Sequence, residues 1–142
     1  MNRQTFEKHV FQVIPAELGC LPDHKAIDCI QRMIPEGFPV HLAIHQVSLG
    51  EGRNRTIYSA PHTHQEWDEV NVLLSNSTLT YAITIGDEVS EVAAPATIWI
   101  PAGVAHAANV IAGEGFFICL RIDKKPAATG SGSAGHPPAS PA

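Results

Sequence analysis

Pro61-His62-Thr63-His64-Gln65-Glu66-Trp67-Asp68-Glu69 leads into the apolar run Val70-Asn71-Val72-Leu73-Leu74. In extended backbone, side chains alternate between faces with period two, so His62 and His64 share a face and both imidazoles can reach one point. Glu69 follows five residues after His64, at the start of a predicted strand. A third imidazole, His106, closes Pro101-Ala102-Gly103-Val104-Ala105-His106, directly after the apolar strand Thr97–Ile100. Three neutral nitrogens and one anionic oxygen suit a borderline divalent metal ion: Fe(II), Mn, Ni, Co or Zn.

Parity separates Glu69 from its rivals Glu66 and Asp68. If Glu69 points inward, Asn71 and Leu73 follow it, while Val70, Val72 and Leu74 form an apolar opposite face and Asp68 turns toward the loop. Outward from this stretch, period two persists from Pro39 on, with turns about every ten residues, as in an antiparallel sandwich or barrel. Strands are expected at 40–49, 56–60, 68–75, 78–85, 88–93, 96–100, 105–111 and 115–122. Gly50-Glu51-Gly52, Ser75-Asn76-Ser77, Gly86-Asp87, Pro101-Ala102-Gly103 and Gly113-Glu114-Gly115 supply the turns.

Before residue 39 the pattern differs. Lys8–Ile14 alternates weakly and reads as a peripheral strand stopped by Pro15. Ala26, Ile27, Ile30, Met33 and Ile34 recur at helical spacing behind Asp23, predicting a short amphipathic helix that Pro35 and Gly37 end. After Lys125 the composition collapses to Pro, Ala, Gly, Ser and Thr, too poor in apolar surface to offset about 1–2 kcal/mol per residue of ordering entropy. The expected organisation is an extension over 1–38, a β-barrel over 39–125 and a disordered tail over 126–142, with His136 solvated in that tail.

The length of 142 residues suits one domain burying about 68% of its unfolded surface. A formal charge of −5 with eight neutral histidines gives no attraction to phosphate backbones or anionic membranes, so neither nucleic acid nor membrane is the expected partner. No apolar window approaches the ~20 residues of a membrane span, and Met1–Lys8 lacks the basic-then-apolar form of a signal peptide; a cytoplasmic protein is expected. Cys20, Cys29 and Cys119 lack metal-site spacing and read as reduced thiols, Cys119 as a small core residue.

Taken together, His62-x-His64-x4-Glu69 and Pro101-x-Gly103-x2-His106-x2-Asn109 resemble the two motifs of a small single-domain cupin across residues 40–122. The glycine that closes the first motif is replaced around Asn76-Ser77, Asn109 comes one position early, and Pro95 stands where the second motif opens with glycine. The resemblance implies an all-β, double-stranded β-helix (jelly-roll) barrel, here with a short N-terminal helix, often a homodimer. It carries His62, His64, Glu69 and His106 over as ligands of a metal in the lumen. It also implies a metal-dependent enzyme acting on a small-molecule substrate. Oxygenase (dioxygenase) chemistry ranks first by family frequency, followed by isomerase or epimerase and lyase or dehydratase chemistry; non-catalytic ligand binding is the rival class.

Other residues are candidates for contact with that substrate. Asn71 is an even choice between a substrate contact and pairing with nearby backbone. His41 and His45 share a strand face; a solvated placement is expected, and an inward one makes them supports for the ligands or a general base. Arg121 is expected at an exposed strand end, and an inward placement makes it a clamp for an acidic substrate. Tyr81, Trp67 and Trp99 are either cavity walls or plain core.

Overall fold

The computed structural model describes residues 3–124. A five-residue helix (α1, Arg3–Glu7) and a 3-10 turn at Leu18–Cys20 are the helical pieces among them, and the rest is antiparallel sheet. The strands are β1 (Val13–Pro15), β2 (Ile30–Pro35), β3 (Leu42–Ser48), β4 (Trp67–Leu74), β5 (Leu79–Ile85), β6 (Glu88–Ala93), β7 (Ala96–Ile100) and β8 (His106–Asp123).

One layer runs β1-β2-β3-β8-β4-β7; the other is β6-β5 joined to the first half of β8. The 18-residue β8 therefore serves both layers. Its first half pairs with β5 from His106↔Ile85 to Gly113↔Leu79, and its second half pairs with β3 and β4. Gly113 and Gly115 mark the transfer: a Cβ at Gly113 would collide with the Thr78 carbonyl oxygen, and one at Gly115 with that of Leu74. The Gly113-Glu114-Gly115 turn expected from sequence is thus a bend within one strand, which glycine permits because the 74–78 backbone crosses so closely.

Two further expectations are corrected. The helix predicted behind Asp23 does not form: Asp23 has a left-handed φ of 61° instead of capping, and Ile30–Pro35 is a strand paired with β3 and β1. Pairing across two neighbours outweighs a local helical spacing built largely from isoleucines, which favour strands. The strand predicted at 56–60 is reduced to one bridge, Ser59↔His24. There the Asn109 side chain replaces a ladder, its Oδ1 accepting from the N–H groups of Tyr58 and Ser59 and its Nδ2 donating to the Ser59 carbonyl. The early position of Asn109 thus has a structural use. Strands β3 to β7 and the turn at Gly86 follow the sequence expectations to within two residues. The proposed tail 126–142, His136 included, lies outside the described residues.

The core is a sandwich of Leu73, Leu79, Tyr81, Ile83, Ile98, Ile100, Val110 and Phe117, with Tyr81 stacked on Phe117 at 4.8 Å. Tyr81 is therefore core. Trp67 and Trp99 are not: both are substantially exposed. No helix among the described residues is long and apolar enough to cross a membrane.

Candidate metal centre

At one end of the barrel, main-chain pairing brings the two distant motifs together. His62 N–H donates to the His106 carbonyl at 3.0 Å and His106 N–H to the His62 carbonyl at 2.9 Å. Gly103 N–H donates to the His64 carbonyl at 2.7 Å, and the Asp68 carboxylate accepts from Ala102 N–H at 2.8 Å. Asp68 thus points to the loop, as parity requires, and it fastens that loop. The three rings stand with centroids 5.1 Å (His62–His64), 4.6 Å (His62–His106) and 5.2 Å (His64–His106) apart.

The tautomers follow from the partners. A carbonyl only accepts, so Nδ1 of His62, 2.8 Å from the Ala60 carbonyl, and Nδ1 of His106, 2.9 Å from that of Val104, must carry the hydrogens. In its neutral form each ring then presents a bare Nε2, the arrangement in which a backbone acceptor orients a histidine ligand. Nε2 of His64 and of His106 are buried without a hydrogen-bond partner.

Glu69 completes the cluster, its Oε1 3.6 Å from His64 Nε2 and its Oε2 3.3 Å from His106 Nε2. Two lone pairs facing each other at that distance, inside a protein, need a cation or a proton between them. Potential ligand atoms of the three histidines lie within 4.8 Å of one another, close to the about 3–4 Å separation of nitrogen ligands on one ion. The residues present fit a metal ion: the histidine group can hold one, and Glu69 supplies a compensating negative charge.

The electrostatics agree. Burial works against ionised Glu69, but His106, Asn71 and Cys119 outweigh it and hold the carboxyl down at about 2. Burial also opposes a charged His106, yet the Glu69 carboxylate and the Val104 carbonyl raise its pKa overall. His64 is pulled down to about 4 by burial and by the Arg121 charge.

The other candidates fall into place around this cluster. Asn71, fully buried, donates to Glu69 Oε2 at 3.1 Å, so it orients the carboxylate, a role outside both alternatives read from sequence. His45 on β3 and His41 just before that strand both line the cavity, and the solvated placement is overturned: His45 is 5% exposed, held neutral by burial and the Arg32 charge with its pKa down at about 3. His41, half-buried, is lowered to about 4 by burial and by Arg121 and Arg32. Arg121 is likewise no exposed strand end. It pairs across the sheet with Glu69, its Nε lies 3.9 Å from Glu69 Oε1, and its guanidinium stands 5.8 Å from the Trp67 ring.

A deep cavity of about 50 Å³ lies beside the cluster, and a wider mouth of about 540 Å³ shares Leu21, His24, Arg32, His41, His62 and Arg121 with it. Two of these residues carried no functional reading in the sequence: His24, whose ring is 5.3 Å from that of His62, and the buried Arg32. Both fall in the segment read as a helix. Ile30-Gln31-Arg32-Met33-Ile34 does not alternate in polarity, so no local signal placed Arg32 inward.

No family model matches the chain, and no curated protein matches it. Among solved structures it is similar to KdgF from Halomonas sp., with 16% identity and a TM-score of 0.50 over 72% of this chain and 87% of that one. It is also similar to the polyketide cyclase RemF from Streptomyces resistomycificus (20% identity, 80% and 77% covered, TM-score 0.49). An RmlC-like cupin from Shewanella frigidimarina matches at 11% identity over 75% and 91%, with a TM-score of 0.46. At such identities the likeness concerns fold alone. Two antiparallel layers sharing β8, with the paired motifs at one mouth, are the jelly-roll arrangement, so the described residues have a cupin-type fold.

Proposed function

We propose that the chain is a divalent-metal enzyme that promotes proton transfer, as isomerisation or elimination, on a small organic molecule held in the barrel. The observation that carries this reading is the pairing of a His62, His64, His106 and Glu69 cluster with neutral, inward imidazoles lining the same cavity. The bound ion would polarise a substrate oxygen and stabilise the negative charge that develops there. His62, His64 and His106 would hold it through Nε2, Glu69 would balance part of its charge, and Asn71 would fix the Glu69 carboxylate. His45, uncharged and with its Nδ1 unpartnered, is available to take a proton from substrate, with His41 beside it nearer the mouth. These inward imidazoles, absent from the expected placement, move isomerase or lyase chemistry ahead of dioxygenase chemistry.

A borderline donor set accommodates Fe(II), Mn, Ni, Co or Zn. The homodimer implied by the resemblance is supported by the apolar outer face of the larger layer. Turnover of 2-hydroxy and 2-keto acids by metal-reconstituted protein under anaerobic conditions tests the reading. Activity independent of oxygen is expected; stoichiometric oxygen uptake restores the oxygenase, and a metal-loaded chain that binds but turns nothing over is a binding module.

A further inference from the structure

Arg32 lies on β2 opposite His45 of β3, on the inward face it shares with Ile30, and is 8% exposed. A buried guanidinium needs an anion, because stripping its hydration costs several kcal/mol unless a partner replaces it. Among the described residues none does. Its Nε has no hydrogen-bond partner, and no carboxylate counters its charge, since the neighbours it senses are Cys119 and Arg121. Arg121 Nε is equally unpartnered by hydrogen bonds, and its nearest carboxylate, that of Glu69, faces the histidine cluster.

The charge balance sharpens the point. The cavity wall carries two guanidiniums and one carboxylate, Glu69, with Asp23 exposed at the mouth. A divalent cation at the cluster would take the sum of +2 from the arginines and −1 from Glu69 to +3, in a cavity of about 50 Å³. We propose that the guanidiniums of Arg32 and Arg121 form an anion subsite facing the metal cluster, which receives the carboxylate of a small organic acid. This rests on the metal reading above and names its substrate class. The planar fork of arginine matches a carboxylate in two parallel hydrogen bonds, and the carboxylate would sit where both guanidiniums line the cavity beside His41.

Binding would also act on the bases. Burial lowers both imidazoles most, and Arg32 adds to it at His45 and both arginines at His41, so a carboxylate that offsets the arginine charge would relieve that second part of the depression.

Calorimetric titration with lactate and its neutral amide, lactamide, on chelator-treated and on nickel-loaded protein tests the subsite. Wild type should bind lactate about tenfold or more tighter than lactamide; Arg32→Met should abolish the preference, and Arg53→Met, which removes an exposed surface arginine, should leave it intact. Arg32→Met should also melt at a higher temperature than wild type, as expected when an unpaired buried charge is replaced by an apolar chain of similar size. If Arg32→Met fails to fold, Arg32→Gln takes its place. Nickel-loaded protein that binds lactate and lactamide alike, or that captures inorganic phosphate more tightly than lactate, overturns the carboxylate subsite. A chain that prefers lactate but takes up no nickel leaves the subsite standing and overturns the metal reading.

Discussion

Along β4 and β8 the inward face carries Glu69, Asn71, Cys119 and Arg121, and the outward face of the same strands carries Val70, Val72, Ile118 and Leu120. The outward row extends sideways to Leu42 and Ile44 of β3 and to Trp99 of β7, and ends at Leu74 and Phe116, both at least 40% exposed. Half of this layer is therefore inverted relative to a water-soluble sheet, which normally hides its apolar side and wets its polar one. The two faces have different reasons. Polar groups are kept inside at a desolvation cost, beside the cavity they line, and the apolar groups outside make the face on which the proposed homodimer would close.

Substitutions on the two faces should therefore separate two properties. The largest effect belongs to the inward face: His106→Ala removes a ligand and should lower metal affinity by about a hundredfold or more, read as metal content after desalting, while Val72→Ala leaves it unchanged. On the outward face, Phe116→Glu combined with Trp99→Glu should shift a homodimer to monomer in sedimentation at micromolar concentration and leave metal content intact. A double variant that stays dimeric would mean that the patch is covered in another way. Asn71→Ala should cost about tenfold in metal affinity, because the Glu69 carboxylate loses its anchor but keeps its charge.

The remaining effect is a slope. His45 titrates near 3 in the folded chain against about 6.5 when unfolded. Between those values the unfolded chain takes up a proton that the folded chain refuses, so stability declines as pH falls through that window. His45→Phe should flatten this acid limb by about 1.4 kcal/mol per pH unit, measured by denaturation at pH 4 to 6. An unchanged slope would place His45 in contact with water.

Most of the inverted layer was legible in advance, because alternation is a local property and the two motifs contain their own parity. Glu69, Asn71 and Leu73 face inward and Asp68 faces the loop for reasons contained in β4 itself. What escaped the sequence depends on partners distant along the chain. β2 spans six residues and resembles a helix face until β1 and β3 flank it, which hid Arg32. Gly113 and Gly115 look like a turn until the 74–78 backbone passes across them. His45 and Arg121 were read by the habits of their residue types, which favour solvent; their burial follows from which face of β3 and β8 closes the cavity.

The reciprocal main-chain bridge between His62 and His106 has a kinetic consequence. It closes through peptide groups and so holds both segments in place before any ion arrives. Chelator treatment should then empty the protein without unfolding it, and reloading should proceed at the speed with which the hydrated ion sheds water, with no slow phase from chain closure.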